Sequence, residues 1–270
     1  MYVNWEDFSE LLKHHTRYVF YRVEHERGEF DERSRTPYDI LDTIGDLVLG
    51  QELLSTLPAG TTLIRARPHP EEEAYSTVKE LGPPPKDRAA HANHMSPAGI
   101  PMFYSSDTEE TVLGEIDQVG FATVANFKTL KAFQVLDLTR IPAVPSLFDQ
   151  HRNHQRSAII FLKNFLADFA KKVEKDGREH TEYVPTQVVT EYFRRVFRNR
   201  EGDSLGGVIY PSARVEGGLS YVLFFTNEDC TQDDVDEESD KKWLSMVTSS
   251  VKRIDLRARP PVKNIFRLES

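Results

Sequence analysis

One cysteine in 270 residues, Cys230, removes two classes of protein at once. A disulfide within the chain needs a second thiol and a cysteine-based zinc cage needs more, so neither can staple this fold. The thiol itself is expected to be an ordinary core or loop residue. Long apolar runs are missing too, and none approaches the roughly 20 residues of a membrane span. No membrane partner is expected. The opening MYVNWEDFSELLKHH lacks the basic start, apolar centre and small-residue cleavage site of a secretory leader, so a cytoplasmic location is expected.

Positive charge is also in short supply. Lys and Arg total 34 against 43 Asp and Glu, a net charge of -9, which argues against a sequence-independent grip on nucleic acid. A local basic pocket stays compatible with this balance. Much of the acidity lies in EDCTQDDVDEESD, Glu228 to Asp240, expected to be a solvated loop between strands. The chain has no Walker-type loop, no G-x-G-x-x-G after a strand and no G-x-S-x-G, which leaves nucleotide binding by those routes and a serine hydrolase unsupported. His91 with His94, and His151 with His154, lack carboxylates or cysteines at metal-ligand spacing. No metal is expected, and these histidines are assigned to surface or loop.

What is present is an ordinary globular balance, 39% hydrophobic and 29% charged. Trp5, Phe8, Leu12, His15 and Val19 fall near one helical face after Asn4 as cap, with Asp7 in the first turn. A second helix is expected from Thr36-Pro37 through Ile40, Leu41, Ile44, Leu47 and Val48, closing in the turn Leu57-Pro-Ala-Gly60. These make a helical N-terminal unit over residues 1–60, followed by a domain over 61–270. Strands are predicted at Thr61 to Arg67, Met102 to Ser105, Phe133 to Leu138, Val208 to Tyr210 and Tyr221 to Thr226. Helices are predicted at Thr108 to Asp117, Ser157 to Val173 and Pro185 to Phe197. This order has no regular βαβ repeat, so the expected class is α+β with a mainly antiparallel or mixed sheet. Gly82 to Pro85, GPPP, reads as a stiff extended loop.

Three segments carry charge or hydroxyls where chemistry needs them. In TTLIRAR, period two puts Leu63, Arg65 and Arg67 on one strand face, and a buried guanidinium calls for a carboxylate or a phosphate. In MFYSSDTEETVLGEI, Asp107 and Glu110 are expected to start a helix that turns Glu115 partly toward the core. Two readings of Glu115 stand side by side, a structural ion pair with Arg65 or Arg67 and a functional carboxylate. In GGVIYPSARVEGG, glycines and Ser212 at a strand end can offer N–H and hydroxyl groups to a phosphate, although they also suit an ordinary turn.

Taken in order, IRAR, PAGIPMFYSSDTEETVLGEI and GVIYPSAR resemble the RES domain, named for its arginine, glutamate and serine. LGPPPKDRAA, YVPTQVVTEYFR and YVLFFTNEDC resemble further blocks of the family, with coverage over about residues 60 to 230, and the N-terminal helices resemble an extension found before some RES domains. The resemblance implies a split mixed sheet related to ADP-ribosyltransferases, with a cleft for NAD as substrate. It further implies a toxin that degrades NAD by hydrolysis or phosphorolysis, with a helix-turn-helix antitoxin of the Xre type as partner and a homo-oligomer as an open option. Transfer of ADP-ribose to a protein, or an impaired binding module, are the alternatives.

On matching positions the implied site residues are Arg65, Tyr104, Glu115 and Ser212. Glu115 is expected to stabilise an oxocarbenium-like sugar, Tyr104 to stack on nicotinamide, and Arg65 with Ser212 to bind pyrophosphate or ribose, with Arg67 as a second cation. Where the family often has an arginine, this chain has His94, which is weakly charged and offers no bidentate phosphate contact.

Overall fold

Alternating apolar and polar residues build nine strands among the described residues, and all nine join one mixed sheet. The computed structural model describes residues 5–15, 37–85, 89, 92–116, 120–170, 179–233 and 241–257. In chain order the strands are β1 (Leu54–Leu57), β2 (Thr62–His69), β3 (Phe103–Ser106), β4 (Phe121–Thr129), β5 (Phe133–Asp137), β6 (Gly207–Pro211), β7 (Leu219–Leu223), β8 (Cys230–Gln232) and β9 (Leu244–Asp255). Their order across the sheet is β1-β5-β6-β7-β3-β2-β4-β9-β8. The β5–β6 and β8–β9 pairs are parallel and the others antiparallel, so the expected α+β class with a mixed sheet is what forms.

The middle of the sheet contains a narrow seam. β2 pairs with β4 over eight positions, Thr62 to His69, yet with β3 only at Ile64↔Ser106. Beyond that point β3 carries backbone groups that β2 does not satisfy. The two faces differ as well. Leu63, Phe103, Phe127, Leu223 and Met246 pack together on one face, where each buried side chain contributes roughly 1.5–3 kcal/mol. Ile64 and Ala66 pack on the other, against Ala122, Val124, Val112 and Leu113.

Seven helices are described: α1 (Trp5–His14), α2 (Pro37–Gly50), α3 (Val78–Leu81), α4 (Glu109–Gly114), α5 (Arg156–Ala170), α6 (Glu179–Glu182) and α7 (Val184–Arg195). The chain divides into two compact units. Leu54–Ala92, Ser96–Thr139 and Leu205–Ser270 form the sheet unit, while Met1–Leu53, Asn93–Met95 and Arg140–Ser204 form the helical one. Helicity is therefore not confined to the N-terminal stretch, since the connection between parallel strands β5 and β6 supplies α5, α6 and α7. In this unit Trp5 packs edge-on against Phe161 and Phe165 and donates to Asp168 Oδ2 at 2.7 Å. Lys13 reaches Glu182 Oε2 at 2.6 Å.

Several expectations change. Helix α2 ends at Gly50 rather than in the 57–60 turn, because Leu54 to Leu57 pair with β5 as an edge strand. His15 lies beyond the end of α1 and is exposed; Asn4, Val19 and Thr36 lie outside the described residues. The acidic run starts as a short 3-10 turn, Asn227–Asp229, and strand β8, because Cys230 to Gln232 pair with β9; residues 234–240 lie outside the described residues. Gly82 and Pro83 are buried, in keeping with a structural GPPP loop. Cys230 is buried, and burial pushes its thiol up to about 12, the state of a core residue.

Candidate active site

The site is built where β3 hands over to α4. After Ser106, Asp107 is clamped to β7: its N–H donates to Leu219 O at 3.1 Å and its Oδ1 accepts from Leu219 N at 3.1 Å. With Asp107 so engaged, the cap of α4 falls one residue later than expected. Thr108 Oγ1 accepts from Thr111 N at 3.1 Å, and no Asp107–Glu110 capping arrangement forms. Thr111, Val112 and Leu113 are buried. The helix then stops, and Glu115 becomes its C-cap, with its N–H bonded back to Thr111 O at 3.2 Å. Because periodicity ends there, Glu115 is exposed rather than turned toward the core.

Its carboxylate is nevertheless held. Ser212 donates its hydroxyl proton to Glu115 Oε1 at 2.6 Å. Ser212 Oγ itself accepts from Arg214 N at 3.1 Å and Val215 N at 3.2 Å, while Ser212 N donates to Gly218 O at 2.8 Å. A serine hydroxyl has one proton and two lone pairs, and all three are engaged. Ser212 thus has no proton left for a phosphate oxygen, and the role the geometry gives it is to orient Glu115. Gly218 lets the turn close on α4, since a Cβ there would sit 2.4 Å from Thr111 Oγ1.

Tyr104 lies two residues along β3 from the seam pair, opposite Val222 of β7, and its hydroxyl shares a 2.8 Å hydrogen bond with Ser96 Oγ. Antiparallel register places Ser106 opposite Ser220, and Ser220 opposite Tyr210, on the same face as Tyr104. Helix α4 covers that face through Val112 and Leu113 against Ile64 and Ala66, so Glu115 stands on the Tyr104 side of the sheet. Tyr210 was not singled out from sequence. Burial, then the Glu115 charge and Tyr104, push its phenol well above the ordinary tyrosine value. The signal was available, because Tyr210 stands two residues before Ser212 on the same strand.

The arginines take a different place. Arg65 shares its face with Leu63 and Phe103, opposite the Tyr104 side, as its β4 partner Ala125 confirms. Its Nε donates to Leu81 O at 2.6 Å, one terminal nitrogen to Tyr104 O at 2.7 Å and the other to Gly82 O at 3.2 Å. Carbonyl oxygens, not a carboxylate, satisfy the buried guanidinium, so of the two readings of Glu115 the ion pair with Arg65 is the one that does not form. The seam explains it: β2 and β3 pair only at Ile64↔Ser106, and beyond that point the Arg65 side chain reaches across to bond the Tyr104 carbonyl. Desolvation, then neighbouring Arg67, lowers Arg65 to about 10, still charged at neutral pH. Arg67 donates to Glu80 O and lies over the Tyr75 ring at 5.0 Å.

His94 belongs to the helical unit. Its ring packs on Tyr183 at 4.3 Å between centroids, and its carbonyl accepts from Thr186 Oγ1. Burial lowers it to about 4 against a smaller opposing effect of Asp168, so the imidazole is neutral at pH 7. Among the described residues no group of three or more His, Cys, Asp and Glu could hold a metal ion, and no helix is long and apolar enough to cross a membrane. His91 lies outside the described residues.

A mixed-sheet α+β protein with a serine-held carboxylate and tyrosines on one sheet face is the class these features define. The chain belongs to the RES domain family, whose model matches residues 62–245. Membership is consistent with an NAD-utilising enzyme. No curated protein and no solved structure matches the chain.

Proposed function

We propose that this protein consumes NAD by cleaving the bond between nicotinamide and ribose. The observation that carries the reading is the exposed Glu115 carboxylate fixed by Ser212 on the Tyr104 side of the sheet. Breaking an N-glycosidic bond to a pyridinium releases a neutral ring and leaves positive charge on the sugar, as in glycosidases. A fixed carboxylate stabilises that charge without reorganising during the reaction, which is the most effective form of electrostatic catalysis. Glu115 therefore takes the ribosyl cation and a ribose hydroxyl, and Tyr104 offers its ring to nicotinamide.

Arg65 serves this chemistry through the backbone. By bonding the Tyr104 carbonyl it sets the position of β3, and so it is a positioning residue in this reading rather than a pyrophosphate ligand. His94, neutral and packed on Tyr183, supplies no phosphate charge. The toxin role and control by a helix-turn-helix antitoxin belong to the same proposal.

The test is release of nicotinamide from NAD by the purified chain, followed with and without phosphate, together with mass analysis of added proteins. Free ADP-ribose, or its 1-phosphate in phosphate buffer, supports cleavage. ADP-ribose attached to a protein would replace this reading with group transfer, and intact NAD would remove both.

A further inference from the structure

Tyr104 is held at both of its ends. Its carbonyl accepts from the Arg65 guanidinium at 2.7 Å, and its hydroxyl shares a 2.8 Å hydrogen bond with Ser96 Oγ. The first bond sets the backbone of β3 and the second sets the ring. A tyrosine ring turns about χ1 and χ2, and a bond at its far end restrains both. Tyr104 is half-buried, whereas Ser96 is 3% exposed. The anchor is seated more deeply than the ring it holds.

The loop that carries Ser96 keeps it in place. Directly after it, Ile100 N donates to Pro97 O at 3.1 Å, closing a turn in which Gly99 takes φ +84°, a value that suits glycine. Gly99 N also donates to the carbonyl of buried Ala89 at 2.7 Å, tying the turn to the chain before it. Ser96 and Tyr104 both belong to the sheet unit. With its hydroxyl turned to Ser96, Tyr104 presents a ring to a ligand rather than a proton, and stacking between rings depends on their relative angle.

We infer that Ser96 is a positioning residue, which sets the angle at which the Tyr104 ring receives nicotinamide. The inference rests on the NAD-cleavage reading and adds the group that orders its leaving-group platform before the substrate arrives. Because Ser96 acts through the Tyr104 ring, its effect falls on ligands that carry the nicotinamide ring and spares those that lack it.

Nicotinamide and ADP-ribose, titrated calorimetrically into wild type, Ser96→Ala, Tyr104→Phe and the double variant, test it, with NAD cleavage measured on the same preparations. Each single variant should weaken nicotinamide about three- to tenfold, and the double variant no more than either one, since all three lose the same bond. ADP-ribose should bind all four proteins equally. In turnover, Ser96→Ala should raise KM for NAD with kcat little changed, whereas simple loss of folded protein would lower the apparent kcat and leave KM alone. Tyr104→Phe breaks the bond from the other end and leaves the Ser96 loop intact, so a poorly folded Ser96→Ala protein does not end the test. Unchanged nicotinamide binding by both single variants, losses that multiply in the double variant, or an equal loss of ADP-ribose affinity overturns the positioning role. If wild type cleaves NAD in that case, the proposed function stands alone. If the nicotinamide pattern holds while NAD stays intact, Ser96 keeps its role and the cleavage reading falls; a wild type that binds neither ligand removes both.

Discussion

Ser212 Oγ lies 2.6 Å from Glu115 Oε1, joining the strand β6 turn to the end of helix α4. The bond links two residues 97 positions apart and gives an exposed carboxylate a fixed direction. A carboxylate without that partner would sample several rotamers. Glu115 therefore depends on Ser212 for its geometry, and the two should fail together.

Ser212→Ala should lower kcat about tenfold or more with little change in KM, because it frees a group that acts in the transition state. Ser212→Thr, which restores the hydroxyl, should recover part of the loss. Steady-state kinetics on the three proteins decide the matter. A raised KM with unchanged kcat would return Ser212 to direct substrate binding.

Gly218→Ala tests the same geometry from the other side. The added Cβ meets Thr111 Oγ1 at 2.4 Å, and Thr111 is buried and bonded to Thr108 at the start of α4. Overpacking of this kind costs about 1–3 kcal/mol. Chemical denaturation should show that loss, and turnover should fall with it as α4 shifts Glu115.

Arg65→Lys should destabilise the fold strongly. An ammonium cannot reach the Leu81, Tyr104 and Gly82 carbonyls together, and unsatisfied buried groups cost about 1–3 kcal/mol each. Denaturation of the ligand-free protein should register the change. If stability is unchanged and only NAD binding suffers, Arg65 is a ligand after all.

His94 predicts the response to acid. Its folded value, about 4, lies below its ordinary value near 6.5, so the unfolded chain binds the proton first. Stability is complete above about pH 6.5 and is lost as pH falls from 6.5 toward 4, by on the order of 1–3 kcal/mol. His94→Phe keeps a ring against Tyr183 and should flatten that part of the stability profile.

Much of this is legible in the amino-acid sequence. The α+β class followed from the irregular order of elements, and β2, β3, β5, β6 and β7 from apolar alternation. β4 and β9 escaped for a physical reason: their register shifts between Val124 and Asn126, and exposed Lys252 and Arg253 interrupt the apolar pattern of β9. β1 has only four residues, too few for a period to show. At the site, residue types pointed to Glu115 and Ser212 without revealing that they bond to each other. At Arg65 a buried guanidinium suggests an anion, whereas a seam between strands supplies carbonyl oxygens that bond it. That seam is set by tertiary pairing, which local sequence does not encode.

Nicotinamide release from NAD by wild type and Glu115→Gln, measured side by side, bears most directly on the central claim. Glu115 is exposed, so the variant should melt like wild type, and its kcat should fall about 10²–10³-fold or more. Equal turnover by a folded Glu115→Gln protein would contradict the account, because no carboxylate would then be needed where the structure fixes one.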